Sequence, residues 1–428
     1  MSSFKKLLKH PLLKSSLIYT LCDALNKAVP FLVLPLLSYY LTPGDYGIVA
    51  NFNILLAVAT ICVALSVEGV IGVNFYRISK EELGKYIYNA IVLISIASVL
   101  VLTLGLVCQD LIYNSFKIPY SYVIWSVVMA FAATMTNINL ALWRLEEKPL
   151  KFGIYQISQT VVNIGVSLLL VIIYQLGWIG RVDGIIIATL IFGCFSLVLL
   201  WKRGYLKVQN DKGVRLAILA FGLPLIPHAL SIWLRSGIDR IYITNMYGEE
   251  ATGLYATGFQ FGVLVSFLIL AFNNAFVPYL YKSLSETDES ILLQNKKRLR
   301  KITYFGMIGL TVVSVLFYIL SIFILDYFFN QTYSGAAEFI LWAIVAQLFQ
   351  GFYLFFVNYI FFMKKTKPLA MITFSCALLQ VFFSYFSVSK FGPIGGAYST
   401  VVVSFLNFVI VAWFSNKVYK MNWLKNNN

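Results

Sequence analysis

Long apolar runs follow one another along almost the whole chain, each closed by a short polar turn. None alternates as a half-buried strand would, and each is long enough for the ~20 residues that cross a bilayer as a helix. The first six predicted helices are Leu13–Tyr40, Tyr46–Tyr76, Ile87–Cys108, Ser121–Trp143, Gly153–Gln175 and Gly184–Trp201. The next six are Leu216–Met246, Gly253–Tyr281, Ile302–Leu325, Ala336–Phe362, Leu369–Ser389 and Ala397–Ser415. The pattern predicts an all-α polytopic membrane protein with about twelve transmembrane helices.

The composition excludes the alternatives. Hydrophobic residues make up 60% of the chain and charged residues 12%, too much apolar surface for a water-soluble globule and far too apolar for a disordered chain. A β-barrel would show alternating segments of about 10 residues. Five scattered cysteines without a CxxC pair, and only two histidines (His10 and His228), argue against disulfides and a metal centre.

The basic residues orient the spans. Of the 33 Lys and Arg residues, 27 fall in one set of turns, while the opposite turns hold only Lys117, Arg181 and Lys390. An even number of helices and this split place both termini in the cytoplasm. The net charge of +15 is thereby explained by topology, and no nucleic-acid partner is expected. The outer loops are short, the longest being about 109–120, and no P-loop, HExxH or GxSxG occurs. An enzyme is therefore not expected.

The two halves echo each other. YYLTPGDYGIVANF (39–52) corresponds to NMYGEEATGLYATGF (245–259), EEKPLKFG to KKTKPLAM, and GRVDGIIIA to FGPIGGAYS. These echoes predict two repeated six-helix lobes: an N-terminal lobe over 1–201, a cytoplasmic linker over 202–215 and a C-terminal lobe over 216–428. The inner segment Lys282–Lys301, acidic then basic, is read either as a surface helix or as a solvated loop. Gly258 and Gly262 read as helix packing.

Charges inside the apolar runs are the candidate chemistry, since each costs about 2.5–3.5 kcal/mol on insertion scales. The first helix carries Asp23 and Lys27 at i,i+4; the seventh carries His228, Arg235 and Asp239 on one face, with Arg240 beside it. Glu68 lies in the inner half of the second. Prolines interrupt the same two helices, Pro30 and Pro35 in the first and Pro224 and Pro227 in the seventh, and broken helices at equivalent repeat positions point to a transport site. Each charge also has a plainer reading. Asp23–Lys27 and Arg235–Asp239 have the spacing of intrahelical salt bridges, and Arg240 can snorkel. Glu68 can serve packing near the inner surface, and His228 can be a hydrogen-bonded packing residue.

The chain resembles the Wzx-type polysaccharide (O-antigen repeat-unit) flippases of the multidrug/oligosaccharidyl-lipid/polysaccharide exporter superfamily. The matching features are LTPGDYG after the first helix, SVEGVIGVNFYR (66–77), EEKPLKFG, and LPLIP…IDRIYITNMYGEEATGLYA in the seventh. The resemblance covers the whole chain, and its motifs specify the superfamily better than the cargo. It implies that an undecaprenyl-diphosphate-linked oligosaccharide crosses the bacterial inner membrane as the lobes rock. Lys27, Arg235 and Arg240 would meet the diphosphate; Asp23, Glu68 and Asp239 would couple the motion to a proton or sodium gradient, with no bound cofactor. Membrane lipids, a polysaccharide polymerase and a chain-length regulator are the implied partners. Two other readings remain: a drug/cation antiporter, whose cavity would be dominated by carboxylates with its cations paired, and a membrane polymerase, which would expose essential carboxylates in an outer loop.

Overall fold

The computed structural model describes residues 11–421 and 423, and their side chains except at positions 11–18, 20, 21, 23, 24 and 27. Among the described residues every regular element is helical. Ten helices are long and apolar enough to cross a membrane, one of them the run Lys212–Leu284, which is long enough for two. With that run divided and the first helix added, the expectation of about twelve spans is met. The chain is a multi-pass membrane protein that folds into two compact units, Met1–Trp233 with Gly248–Gly253, and Leu234–Tyr247 with Leu254–Asn428.

The first unit begins with α1 (Pro11–Leu37) and α2 (Pro43–Ala64). Thr42 caps α2 by accepting from the Asp45 N–H at 3.1 Å, while the Asp45 carboxylate accepts from the Thr42 N–H at 3.0 Å. Here the structure departs from the single helix expected over Tyr46–Tyr76. Leu65 and Ser66 take left-handed backbone conformations, φ 47° and 52°, and the chain restarts as the short α3 (Val67–Asn74). Neither Gly nor Pro marks the break, so periodicity alone reads through it. Packing holds it instead: Leu65 is buried, and its carbonyl occupies the space where a side chain on Gly222 would begin.

Next come α4 (Lys80–Val107), α5 (Gln109–Phe116), α6 (Tyr120–Leu145), α7 (Pro149–Leu168) and α8 (Gly177–Lys202). Between the last two, α7 runs into a π-turn over Leu169–Ile173. The core is centred on α6, whose Met135, Ile138 and Leu142 are fully buried with Ile87 and Ile94 of α4 and Leu200 of α8. Lipid is as apolar as these side chains, so the gain is close packing rather than removal from water. Small residues permit it: Gly193 of α8 rests on Ala132 of α6. On α4, Leu104 and Val107 stand 64% and 77% exposed, as a lipid-facing stripe must.

The expected linker is fastened to this unit. Glu146 accepts from Arg203 at 2.7 Å, from Lys148 at 2.8 Å and from the Tyr205 hydroxyl at 2.6 Å. Asn89 donates to the Gln209 carbonyl at 2.8 Å and accepts from the Asp211 N–H at 3.0 Å. Asp211 then caps α9 (Lys212–Gly222). A 3₁₀ turn over Leu223–Leu225, containing Pro224, separates α9 from α10 (Ile226–Leu284). Within α10, Gly248 leaves helical geometry at φ 88°, ψ 178°.

The second unit is completed by α11 (Glu289–Phe328), a 3₁₀ turn (Gln331–Ala336), α12 (Ala337–Phe362), α13 (Thr366–Phe391) and α14 (Ile394–Val418). The acidic-then-basic inner segment is indeed helical beyond Asp288, which caps α11 by accepting from the Ser290 and Ile291 N–H groups. Gly258 and Gly262 pack against the backbone of Ala336 and Ala343, as their spacing predicts.

Burial alone would raise the Glu146 carboxyl, but the hydrogen bonds from Lys148, Tyr205 and Arg203 and the Arg203 charge outweigh it and hold it at about 2. A depressed carboxylate stabilises the fold above its unfolded value of about 4.3 and loses that contribution as pH falls toward the folded value. Glu146→Gln should therefore lower the melting temperature of the detergent-solubilised protein at neutral pH, and the gap to wild type should shrink between about pH 5 and pH 3. A gap that stays constant across that range contradicts the assignment.

Candidate functional site

Asp239 lies in the middle of an apolar helix, 3% exposed, and is the best-bonded carboxylate of the second unit. Its Oδ1 accepts from Gln380 Nε2 at 2.8 Å and from the Ser384 hydroxyl. Its Oδ2 accepts from the Thr400 hydroxyl at 2.5 Å and the Tyr255 hydroxyl at 3.0 Å. An ionised carboxylate offers about four lone-pair sites, and neutral donors fill them all.

The sequence builds this cage from four segments. Gln380 and Ser384 are spaced i,i+4 on α13 and so share a face. The break at Gly248 turns α10 back on itself, which brings Tyr255 to Asp239. Thr400 comes from α14, whose approach depends on Gly396: a Cβ there would lie 3.4 Å from the Asp239 Cβ and 3.0 Å from Ile243 Cδ1. Ser399 adds a further hydroxyl, donating to the Gly396 carbonyl at 2.8 Å and accepting from Gln380 at 3.2 Å. Hydroxyls both donate and accept. By turning their protons away, Ser384, Ser399 and Thr400 can offer lone pairs to a cation bound at the carboxylate. The cage suits a proton or a small hard cation.

Arg235 does not close a salt bridge with Asp239, which corrects one of the readings of that spacing. Its Nη2 donates to Gln350 Oε1 at 3.4 Å, and it lies in electrostatic reach of Tyr353 and Cys376. Arg240 has a buried Nε with no hydrogen-bond partner and lies near the Tyr255 hydroxyl. Thus α10 turns Asp239 toward α13 and α14 while keeping its two guanidinium groups free of carboxylates.

The remaining candidates are spread out. Glu68 is exposed at the start of α3, with Asn137 and Arg144 as its polar neighbours. His228 is exposed near the start of α10. Pro224 marks a true interruption and Pro227 opens the restarted helix, whereas Pro30 and Pro35 lie inside an α1 that is helical from Pro11 to Leu37. The side chains of Asp23 and Lys27 lie outside the described residues. Sequence reasoning missed Gln380, Ser384, Tyr255 and Thr400, because it followed charges and not neutral donors. The available signal was Gln380 and Ser384 at i,i+4 in the middle of the apolar stretch of α13. It also placed Arg181 in an outer loop, whereas that residue sits inside α8.

A family model described as "Polysaccharide biosynthesis protein" matches residues 12–284. Lsg locus protein 1 of Haemophilus influenzae is 27% identical over 400 residues, covering 91% of this chain and 96% of its own. Among solved structures, an inward-facing multidrug resistance MATE family transporter of the MOP superfamily superposes with a TM-score of 0.72 at 15% identity, over 95% of this chain and 96% of that one. The lipid II flippase MurJ, in an inward closed conformation, gives 0.72 at 16% identity, over 94% and 87%. The fold is the two-lobed architecture of these transporters.

If Arg235 and Asp239 are independent, Arg235→Gln and Asp239→Asn should change stability additively within about 0.5 kcal/mol. Thermal unfolding of the two single variants and the double variant measures this. A double variant markedly more stable than additivity allows would restore the salt bridge.

Proposed function

We propose, from the premise that this chain belongs to the polysaccharide biosynthesis protein family, that it is a flippase for an anionic lipid-linked oligosaccharide, carried on undecaprenyl diphosphate. The observation that carries the reading is the state of the arginines within the spans. Among the described residues, Arg181, Arg235 and Arg240 have no carboxylate partner within ion-pair distance, since the described ion pairs all lie elsewhere. Buried cations in membranes are normally neutralised or used. A drug/cation antiporter would need the opposite arrangement, with cations paired and carboxylates open to the cargo. A diphosphate crossing hydrocarbon needs fixed positive donors, and Arg is the side chain best shaped to supply them.

Asp239 takes the coupling role in this reading. Its cage binds a proton or a sodium ion when the carboxylate is accessible, and the energy of that gradient drives alternating access. Both termini face the cytoplasm, the membrane is the bacterial inner membrane, and the emerging repeat units pass to a polymerase and a chain-length regulator. Lys27 and Glu68 join Arg235 and Arg240 as residues to be tested for contact with the cargo or the coupling ion.

The test is complementation of a strain lacking its own repeat-unit transporter, scored by surface polysaccharide at matched membrane levels of each variant. Wild type should restore the polymer, and Asp239→Asn and Arg235→Gln should each reduce it at least tenfold, with Arg235→Lys retaining part. Full polymer from both neutral variants, or drug resistance without any polymer from wild type, would overturn the proposal.

A further inference from the structure

The first unit contains a mirror of the Asp239 cage with the charge reversed. In the first unit α7 and α8, like α13 and α14 in the second, cross on small residues. Gly180 of α8 rests on the backbone of Leu170 and Gly184 on that of Ser167, while Gly395 of α14 rests on Ser387, and the Ser399 and Ser384 hydroxyl oxygens lie 3.3 Å apart. This register makes Asn163 and Ser167 of α7 the counterparts of Gln380 and Ser384 of α13. The second pair holds the Asp239 carboxylate. The first holds a guanidinium: Arg181 Nη1 donates to Asn163 Oδ1 and to Ser167 Oγ, each at 2.7 Å.

We infer that Arg181 is an anion-binding point inside the first unit, built to take a phosphate group. A guanidinium has five N–H donors, and Asn163 and Ser167 use the two on Nη1. The donors on Nη2 and Nε have no hydrogen-bond partner among the described residues, and the Arg181 side chain is half-buried rather than fully enclosed. They form the edge of a planar fork, which matches two oxygens of a phosphate. The nearest acid in sequence, Asp183, cannot neutralise it, because residues at i,i+2 do not face each other on a helix. Asp183 accepts instead from the Tyr122 hydroxyl at 3.2 Å.

The surroundings fix the fork in place. Gly180 and Gly184 flank Arg181 in the sequence and bring α8 against α7. Just past Ser167, α7 relaxes into the π-turn Leu169–Ile173, the kind of bulge that often marks a functional position. The Tyr46 hydroxyl is also in electrostatic reach of the guanidinium. On the proposed orientation this end of α8 faces the outer leaflet. Assigning the phosphate to the departing cargo rests on the flippase reading; the anion site itself does not.

The experiment uses the purified full chain in phosphatidylcholine nanodiscs, titrated with inorganic pyrophosphate. Trp178, about one helical turn before Arg181, reports through its fluorescence, isolated as the difference from a Trp178→Phe variant. Pyrophosphate should give a saturable change. Arg181→Gln should weaken it at least tenfold, and Arg181→Lys less. Asn163→Asp, which supplies the guanidinium with a carboxylate and relieves its burial, should abolish the change while leaving the fold at least as stable. In discs containing phosphatidylglycerol, a right-shifted titration supports the phosphate site with the lipid headgroup as its source. An unshifted one supports the site with the cargo as its source. An unchanged midpoint in both Arg181→Gln and Asn163→Asp, or an equal response to chloride at matched ionic strength, overturns the inference. No cargo enters this titration, so its failure is separable from failure of the complementation test.

Discussion

Hydrocarbon offers no hydrogen-bond partner, so each polar group carried into the bilayer must find one within the protein or be kept for a ligand. Asn89, Asn139 and Asn51 lie in the interior of the first unit, and all three meet backbone carbonyls: Asn89 those of Lys85 and Gln209, Asn139 that of Ser196, Asn51 that of Phe116. These bonds hold helices and linker together. Asp239 and Arg181 differ: their partners are neutral, filling the acceptor sites of the carboxylate and the Nη1 donors of the guanidinium, and leave the charge uncompensated. Such an arrangement is costly as architecture and useful as a binding site, which is why function is assigned to these two residues rather than to Glu146. Glu146 has both hydrogen bonds and counter-charges, and it works as a clamp.

The same constraint governs where the helices break. Irregular backbone is tolerated in a membrane only where protein or a polar cavity satisfies it. The left-handed pair Leu65–Ser66 meets Gly222, immediately before the 3₁₀ turn that carries Pro224. Beyond the turn, Trp233 Nε1 of α10 donates to the Ile54 carbonyl of α2 at 3.1 Å. Two interruptions thus lie against each other within the first unit, and each has a partner that a straight helix would not provide. Gly248 gives the second case, since its φ of 88° is what folds α10 and delivers Tyr255 to the carboxylate.

Much of the fold was legible from hydropathy, because membrane helices announce themselves by length and the repeat by its echoed turns. Pro224 gave away one break, and a carboxylate, Asp239, in an apolar helix gave away the coupling candidate. The break at Leu65 was not legible: ALSVEG carries no backbone signal at that position, and only tertiary packing against Gly222 selects it. Arg181 was misplaced for a related reason, since hydropathy starts α8 after the charges of GRVDG, whereas the glycines there allow helix and close crossing to begin earlier. The cage around Asp239 was invisible to a search for charges, as its members are Gln, Ser, Thr and Tyr drawn from three segments of the chain.

The account stands or falls on whether the Asp239 cage couples an ion to the movement of an anionic lipid-linked oligosaccharide. Reconstituted vesicles loaded with a fluorescent lipid-linked oligosaccharide, with a sodium or proton gradient imposed, measure this directly as the rate at which the outer-leaflet label becomes accessible to quencher. The account predicts that one of the two gradients accelerates translocation by wild type and that neither does so for Asp239→Asn, with equal amounts of protein inserted. Translocation by wild type that is indifferent to both gradients, or equally gradient-driven in Asp239→Asn, would contradict it.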